Sequence, residues 1–132
     1  MRTNKEKGRI GLSLAIAYFE KNGYTINIPL NDTQWYDLVV EKNGVFKTVQ
    51  CKCTETKNNL ISLRSTGGTK GKEYDNVLSH NLDYLFCVDN KCNCFLIPVN
   101  DIREYGGHSS ISLRLERNKN FQGFESSKYV IK

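Results

Sequence analysis

The sequence predicts one mixed α/β domain, residues 1–132, with a central β-sheet flanked by helices. The chain is long enough to bury a real core and short enough to form one domain. Apolar residues near the N-terminus recur at helical spacing. Several short apolar runs farther along are bounded by turn residues and have the pattern of strands. A helix followed by many strands is typical of a mixed α/β domain.

The first predicted element is an α-helix that begins after Thr3. Thr3 and Glu6 have the Thr-x-x-Glu spacing of a capping box, in which each side chain accepts a backbone N–H of the other residue. The segment Lys21-Asn22-Gly23 ends this helix, because Gly23 suits the left-handed conformation common at helix ends. Apolar residues at spacings of three and four give the helix one wide buried face. They are Ile10, Leu12, Leu14, Ile16, Ala17 and Phe19.

A strand, a hairpin and a further strand follow the helix. The run "YTINIPL" predicts a strand that Pro29 ends. In "WYDLVVEKNGVFKTVQCKC", residues 35–53, Asn43-Gly44 lies between two apolar-rich runs and predicts a tight β-hairpin. "NLISLRS" predicts another strand, and the Gly- and Lys-rich segment after it is predicted to be a loop.

The second half of the chain predicts a short helix and three strands. "YDNVLSHNL" has the pattern of a short helix, within which we expect His80 to cap or pack. "YLFCVD" and "CFLIPV" are predicted to pair around the turn Asn90-Lys91. "SSISLRLE" predicts a last strand, and the tail after about residue 117 is polar and expected to be poorly defined.

Composition limits the classes of function. The 19 lysines and arginines exceed the 14 acidic residues, and a net charge of +5 favours a polyanionic partner without requiring one. The sequence has no apolar run of membrane-spanning length and no signal-peptide core at its N-terminus, so we expect no membrane partner and an intracellular, cytoplasmic protein.

The five cysteines are expected to be reduced, buried thiols. Cys51-x-Cys53 and Cys92-x-Cys94 lack the C-x2-C spacing of structural zinc sites. A small zinc-binding module is the alternative for these residues.

The predicted hairpin places an acid, an amide and a lysine on one face. Around a two-residue loop at Asn43-Gly44, opposed residue numbers sum to 87, so Asp37 lies across from Gln50. Side chains alternate along a strand, so Lys52 points to the same face. One interpretation is a salt bridge and a hydrogen bond on a solvated sheet. The other is a divalent-metal site with oxygen ligands from Asp37, Gln50 and the backbone carbonyl of Cys51.

These residues carry a resemblance to a known family. Asp37, twelve intervening residues and then Gln50-Cys51-Lys52 resemble the PD-(D/E)XK nuclease signature in its D…QxK form. Residues 7–53 resemble the helix-strand-hairpin core of group I intron-encoded homing endonucleases of that superfamily, and residues 61–90 resemble their later region more loosely. The resemblance implies a restriction-endonuclease-like fold and hydrolysis of phosphodiester bonds in double-stranded DNA with Mg²⁺ (or Mn²⁺).

The resemblance also implies a role for each member of the cluster. Asp37 would be the metal carboxylate, Gln50 would replace the usual second carboxylate, and Lys52 would be the catalytic lysine. Because an amide carries no charge, Gln50 is expected to weaken metal binding by the free protein.

Many relatives have a further acid on the first helix, where this chain has Leu12 and Ser13. Glu6 is the candidate to replace that acid, and Glu20 is a weaker one. If neither does, a catalytically silent DNA-binding protein is an alternative. A structure-selective nuclease resembling a Holliday junction resolvase is another.

Basic and small polar residues are predicted to contact DNA phosphates. Two copies of a domain with one site are needed to cut both strands of a duplex, so a homodimer or homotetramer is expected. The predicted DNA-contact residues are Arg9 near the N-terminus and, in "RSTGGTKGK", Arg64, Ser65, Thr66, Lys70 and Lys72.

Overall fold

The structure, a computed structural model, describes residues 2–31, 33–65, 75–106, 109–120 and 122–132. The helices are α1 (Asn4–Lys21) and α2 (Val99–Tyr105), and single 3-10 turns lie at Val77–Ser79 and Ser127–Tyr129. The strands are β1 (Thr25–Asn27), β2 (Leu38–Lys42), β3 (Val45–Cys53), β4 (Leu60–Ser62), β5 (Arg64–Ser65), β6 (Asp75–Asn76), β7 (Tyr84–Val88), β8 (Cys94–Pro98) and β9 (Ser110–Ser112). The predicted mixed α/β fold class is confirmed.

Helix α1 begins and ends where the sequence predicts. Thr3 Oγ1 accepts a hydrogen bond from Glu6 N at 3.1 Å, and Glu6 Oε1 accepts one from Thr3 N at 3.0 Å. This is the predicted capping box. Gly23 follows the helix with a φ of 81°, which is strained for other residues. The helix residues buried against the sheet are Gly11, Ala15 and Phe19.

The β2–β3 hairpin has the predicted register. Leu38 pairs with Val49 and Lys42 with Val45, so the numbers of each pair sum to 87. The loop residues Asn43 and Gly44 both have positive φ, 54° and 81°, as a type I′ turn requires. A local turn signal therefore sets which side chains of the two strands share a face.

The central sheet has the strand order β1-β2-β3-β7-β8. All neighbours are antiparallel except β3 and β7, which run parallel. The predicted β7–β8 pair is confirmed. Its turn is held by the buried carboxylate of Asp89, which accepts hydrogen bonds from Lys91 N at 2.9 Å and Asn93 N at 2.8 Å.

The segment after β3 departs from the prediction. The run "NLISLRS" forms two short strands outside the central sheet, since β4 pairs with β9 and β5 pairs with β6. The predicted helix in "YDNVLSHNL" is a single 3-10 turn. Asn76 Oδ1 caps it by accepting from Leu78 N at 2.9 Å, and His80 returns to an extended conformation after three residues.

Two C-terminal features were not predicted. Helix α2 was missed because its first residue, Val99, continues the apolar run of β8; Gly106, with a φ of 87°, ends it. The described residues of the polar tail after residue 117 contact the rest of the domain. Phe124 packs into the core, and Ile131 N donates to Cys94 O at 2.8 Å, which attaches the tail to β8.

Two buried clusters lie on opposite faces of the central sheet. The helix face, which α1 covers, includes Val49, Phe86 and Val88, with the half-buried Cys51 and Cys53. The second face includes Leu85, Cys87 and Ile97 with residues from β4, β9 and α2. Because side chains alternate along β3, Gln50 and Lys52 point to the second face.

Among the described residues, no helix has the length and apolar character needed to cross a membrane.

Candidate active site

The acid, amide and lysine predicted from the hairpin lie on the second face. Gln50 and Lys52 pair along β7 with Leu85 and Cys87, which belong to the buried cluster of that face. Asp37 immediately precedes β2 and lies opposite Gln50 in the hairpin register. The structure therefore brings together the three residues that the sequence analysis placed on one face.

Asp37 is attached to β3 by its backbone and its side chain. Asp37 N donates to Val49 O at 2.8 Å, and Asp37 Oδ2 accepts from Cys51 N at 2.8 Å. The residue keeps solvent-exposed surface, yet the protein around the carboxylate desolvates it and raises its pKa. The hydrogen bond from Cys51 N and the charge of Lys52 oppose this rise without cancelling it. A cation beside Asp37 would stabilise its ionised form.

The side-chain oxygen of Gln50 lacks a partner. Gln50 Oε1 is buried and makes no hydrogen bond among the described residues. An unpaired buried polar group costs about 1–3 kcal/mol, so such an atom needs an explanation. A hard cation would satisfy it, because Mg²⁺ and Mn²⁺ prefer carboxylate and carbonyl oxygens.

A third oxygen comes from the backbone of Cys51. The N–H and C=O of one strand residue point to the same side of the strand. Since Cys51 N donates to Asp37, the Cys51 carbonyl also lies on the side of Asp37, where β2 has already ended. Asp37, Gln50 and this carbonyl form a donor set that fits a divalent cation with few protein ligands.

Lys52 is half-buried beside these oxygens. Its Nζ donates to Arg64 O at 3.3 Å, which attaches β3 to β5. Burial lowers the pKa of Lys52, and the charge of Asp37 opposes this shift by less. Cys87 is fully buried, and burial raises its pKa to about 12, so its thiol is neutral at physiological pH. Lys52 thus has Asp37 as its charged neighbour and can interact with negative charge on a substrate.

Helix α1 does not bring an acid to these residues. Gly11 packs on the helix face, where an added Cβ would lie 3.6 Å from Cys51 Cβ and 3.7 Å from Cys53 Cβ. Glu6 is held in the capping box, and its carboxylate interacts with arginines of its own N-terminal segment. Asp37 and Lys52 interact instead with each other. Glu6 therefore lies apart from the cluster on the second face.

Replacing Glu6 by glutamine is expected to leave the DNA cleavage that the resemblance implies within about twofold of wild type, as for a surface residue that touches no reacting group. Glutamine keeps the capping-box hydrogen bond and removes the charge. Cleavage rates across a Mg²⁺ titration measure this. Glu6→Ala, which also removes the cap, separates a loss of helix stability from a loss of metal binding. A several-fold rise in the Mg²⁺ requirement of Glu6→Gln would instead make Glu6 a ligand.

The predicted DNA-contact residues divide into four groups. Arg64 is exposed on β5, and its carbonyl contacts Lys52. Arg9 lies on α1, over the helix face, and lines a groove with Arg2 and Ser13. For Ser65, the structure describes only the backbone. The residues that lie outside the described part of the chain are Thr66, Lys70 and Lys72.

The cysteines differ from the prediction at one position. All five are free, Cys87 is buried and three are half-buried, but Cys92 is exposed in the β7–β8 turn. Within the described parts of the chain, no group of three or more His, Cys, Asp and Glu side chains is placed to hold a metal ion. The zinc-module alternative therefore has no support among these residues.

One supporting residue, Asp83, was missed by the sequence analysis. Its Oδ2 accepts from Thr48 N at 2.9 Å, and its backbone N donates to Thr48 Oγ1 at 3.1 Å. These bonds secure the start of the parallel β3–β7 pair, two residues before Gln50. A polar residue directly before the run "YLFCV" was the available signal, but the partner strand could not be known from it.

Comparisons with known proteins agree with this fold. The model of a protein family described as PD-(D/E)XK endonuclease matches residues 2–128. Among solved structures, a bacterial homing endonuclease, I-Ssp6803I, is similar with a TM-score of 0.67. The two sequences are 24% identical, and the match covers 97% of this chain and 87% of that chain. At this identity the likeness shows a shared fold. No curated protein matched the chain.

Proposed function

The chain belongs to the PD-(D/E)XK endonuclease family, and from that membership we propose that it hydrolyses phosphodiester bonds in double-stranded DNA with Mg²⁺ or Mn²⁺. The observation that carries this proposal is the unpaired, buried Gln50 Oε1 on the same face as Asp37. A solvated surface salt bridge would not leave a buried oxygen without a partner, whereas a metal site provides one.

Each residue of the cluster has a proposed task. Asp37, Gln50 and the Cys51 carbonyl would hold the cation, which when bound would offset charge on the phosphate and favour deprotonation of a water. Asp37 contributes the only side-chain charge of this ligand set, and its hydrogen bond from Cys51 N keeps its carboxylate oriented. Lys52, with its lowered pKa and its contact to Arg64 O, would stabilise negative charge that develops on the phosphate.

We propose a homing-endonuclease-like mode of action, in which two copies of the chain each cut one strand. The shared fold with a bacterial homing endonuclease supports this mode. One observation favours a second candidate: α1 places no acid near Gln50, since Glu6 is held in its capping box. That second candidate is a catalytically silent DNA-binding protein on the same fold.

The test is a cleavage assay with plasmid, linear duplex and four-way-junction DNA, with Mg²⁺, Mn²⁺ or EDTA. Wild-type protein is expected to cut duplex DNA with either metal, and Asp37→Ala is expected to be inactive. Glu104→Ala, which removes an exposed acid of α2, is the matched control and should cut normally.

Three results would change the proposal. Cleavage in EDTA, or by Asp37→Ala, would contradict the metal site. Cutting restricted to the four-way junction would identify a resolvase-like nuclease. Binding of DNA without cutting would identify the silent protein. Sedimentation of the protein with and without DNA tests whether it is a homodimer or homotetramer.

A further inference from the structure

Two stacked rings connect Asp37 to the 3-10 turn at Val77–Ser79. The rings of Trp35 and His80 have centroids 4.9 Å apart and planes 11° apart. Trp35 lies two residues before Asp37, and the ring of Tyr36 between them contacts Trp35 edge-on at 5.6 Å. Trp35 and Tyr36 both pack against the buried cluster of the second face. The two residues before Asp37 are therefore aromatic, and both are packed against other parts of the fold.

Helix α2 holds the backbone of His80 through hydrogen bonds from Arg103. Arg103 Nη2 donates to His80 O at 2.6 Å, and Arg103 Nε donates to Leu78 O at 3.0 Å. Arg103 Nη1 donates to Asn100 Oδ1 at 2.6 Å, which orients the guanidinium on its own helix. These bonds fix the backbone that carries the imidazole, and Trp35 stacks on the ring of that imidazole.

Asp37 needs such support because it precedes its strand. Among the described residues from Ile28 to Asp37, none belongs to a helix or strand. On the side of β3, the contacts of Asp37 are the hydrogen bonds to Val49 O and from Cys51 N. On the other side, the chain that leads to the acid is positioned by the stack of Trp35 on His80.

We infer that His80 is a positioning residue for Asp37, which acts by stacking its ring on Trp35. The inference rests on the proposed function, since it gives Asp37 a place in a metal site. The ring face and its rigid backbone are what matter, so a flat ring of similar size should substitute for imidazole. Groups that orient a metal ligand contribute about 10- to 100-fold to metal affinity or activity.

Three substitutions of His80 test this role. His80→Ala removes the stacked ring, His80→Leu keeps volume without a flat ring, and His80→Phe keeps a flat ring without nitrogens. We expect His80→Ala and His80→Leu to raise the Mg²⁺ concentration for half-maximal cleavage about tenfold. His80→Phe should stay within about threefold of wild type. The affinity for DNA in EDTA should be unchanged in all three.

Two readouts do not depend on cleavage. Trp35 is the single tryptophan of the chain, so fluorescence excited at a wavelength that tyrosine does not absorb reports this ring alone. Its emission should shift to longer wavelength in His80→Ala and stay near wild type in His80→Phe. Calorimetry of Mn²⁺ binding should show the same order of affinities as the cleavage assay. Tyr105→Ala, which removes an exposed ring from a contact with Phe124 at 5.6 Å, is the matched control.

Two outcomes would overturn the inference. One is a wild-type affinity for Mn²⁺ in His80→Leu. The other is a loss of Mn²⁺ affinity in His80→Phe as large as the loss in His80→Leu. If His80→Ala does not fold, the comparison of leucine with phenylalanine, which are both large and apolar but differ in having a flat ring, carries the test. A wild-type protein that cuts no DNA would contradict the proposed function, whereas Mn²⁺ affinities of the variants still test the positioning role.

Discussion

Lys52→Met is expected to lower the rate of DNA cleavage about 100- to 1000-fold, the usual effect of removing one group that stabilises transition-state charge. Methionine has similar length and can fill the half-buried space beside Cys87 without the ammonium. The contact of Lys52 with Arg64 O holds a backbone segment, and its loss is expected to affect stability little. Single-turnover cleavage at saturating DNA and Mg²⁺ measures the effect on chemistry directly.

The matched control is Lys47→Met on the same strand. Lys47 pairs with Val40, so it lies on the helix face, and its replacement removes the same charge from the protein. It should cut at the wild-type rate, with at most a small loss of DNA affinity at low salt. Equal losses in both variants would mean that net charge, and not a catalytic lysine, explains the result.

Gln50→Glu is expected to tighten Mn²⁺ binding by the DNA-free protein about tenfold or more, since a charged oxygen would replace a neutral one in the proposed ligand set. The proposed wild-type ligand set has one side-chain charge, from Asp37, and a neutral oxygen from Gln50. A second carboxylate adds attraction for the cation and, without metal, repels Asp37 and raises its pKa further. Calorimetry with Mn²⁺ in the absence of DNA measures the affinity.

Gln122→Glu is the control, because it adds the same charge at an exposed position in the C-terminal segment. It should bind Mn²⁺ as the wild type does. Gln50→Leu should bind it more weakly, since it removes the oxygen. Equal Mn²⁺ affinity of glutamine and glutamate at position 50 would show that Gln50 is not a ligand.

The cluster on the second face could be predicted because it depends on local sequence. Asn43-Gly44 selects a two-residue turn, the turn sets the register of β2 and β3, and the register places Asp37 across from Gln50. Each step involves residues close together in the chain. The same is true of the α1 capping box formed by Thr3 and Glu6.

Apart from helix α2, the main features that were missed depend on distant contacts. The pairing of β4 with β9 and the parallel pairing of β3 with β7 join segments far apart in sequence. No turn signal specifies them. The stack of Trp35 on His80 likewise joins residues on separate elements, although capping or packing was expected for His80.

The polar groups of the candidate site are also expected to make the fold's stability depend on protons and on a bound metal ion. The pKa of Asp37 is higher in the folded than in the unfolded chain, so the folded chain binds more protons between the two values. The folded state therefore loses stability as pH rises from the pKa of Asp37 in the unfolded chain to its pKa in the folded chain. The unpaired Gln50 oxygen lowers the free energy of unfolding at any pH. A cation that binds only the folded chain reverses both effects by mass action. The ion would act as a cofactor of folding as well as of cleavage.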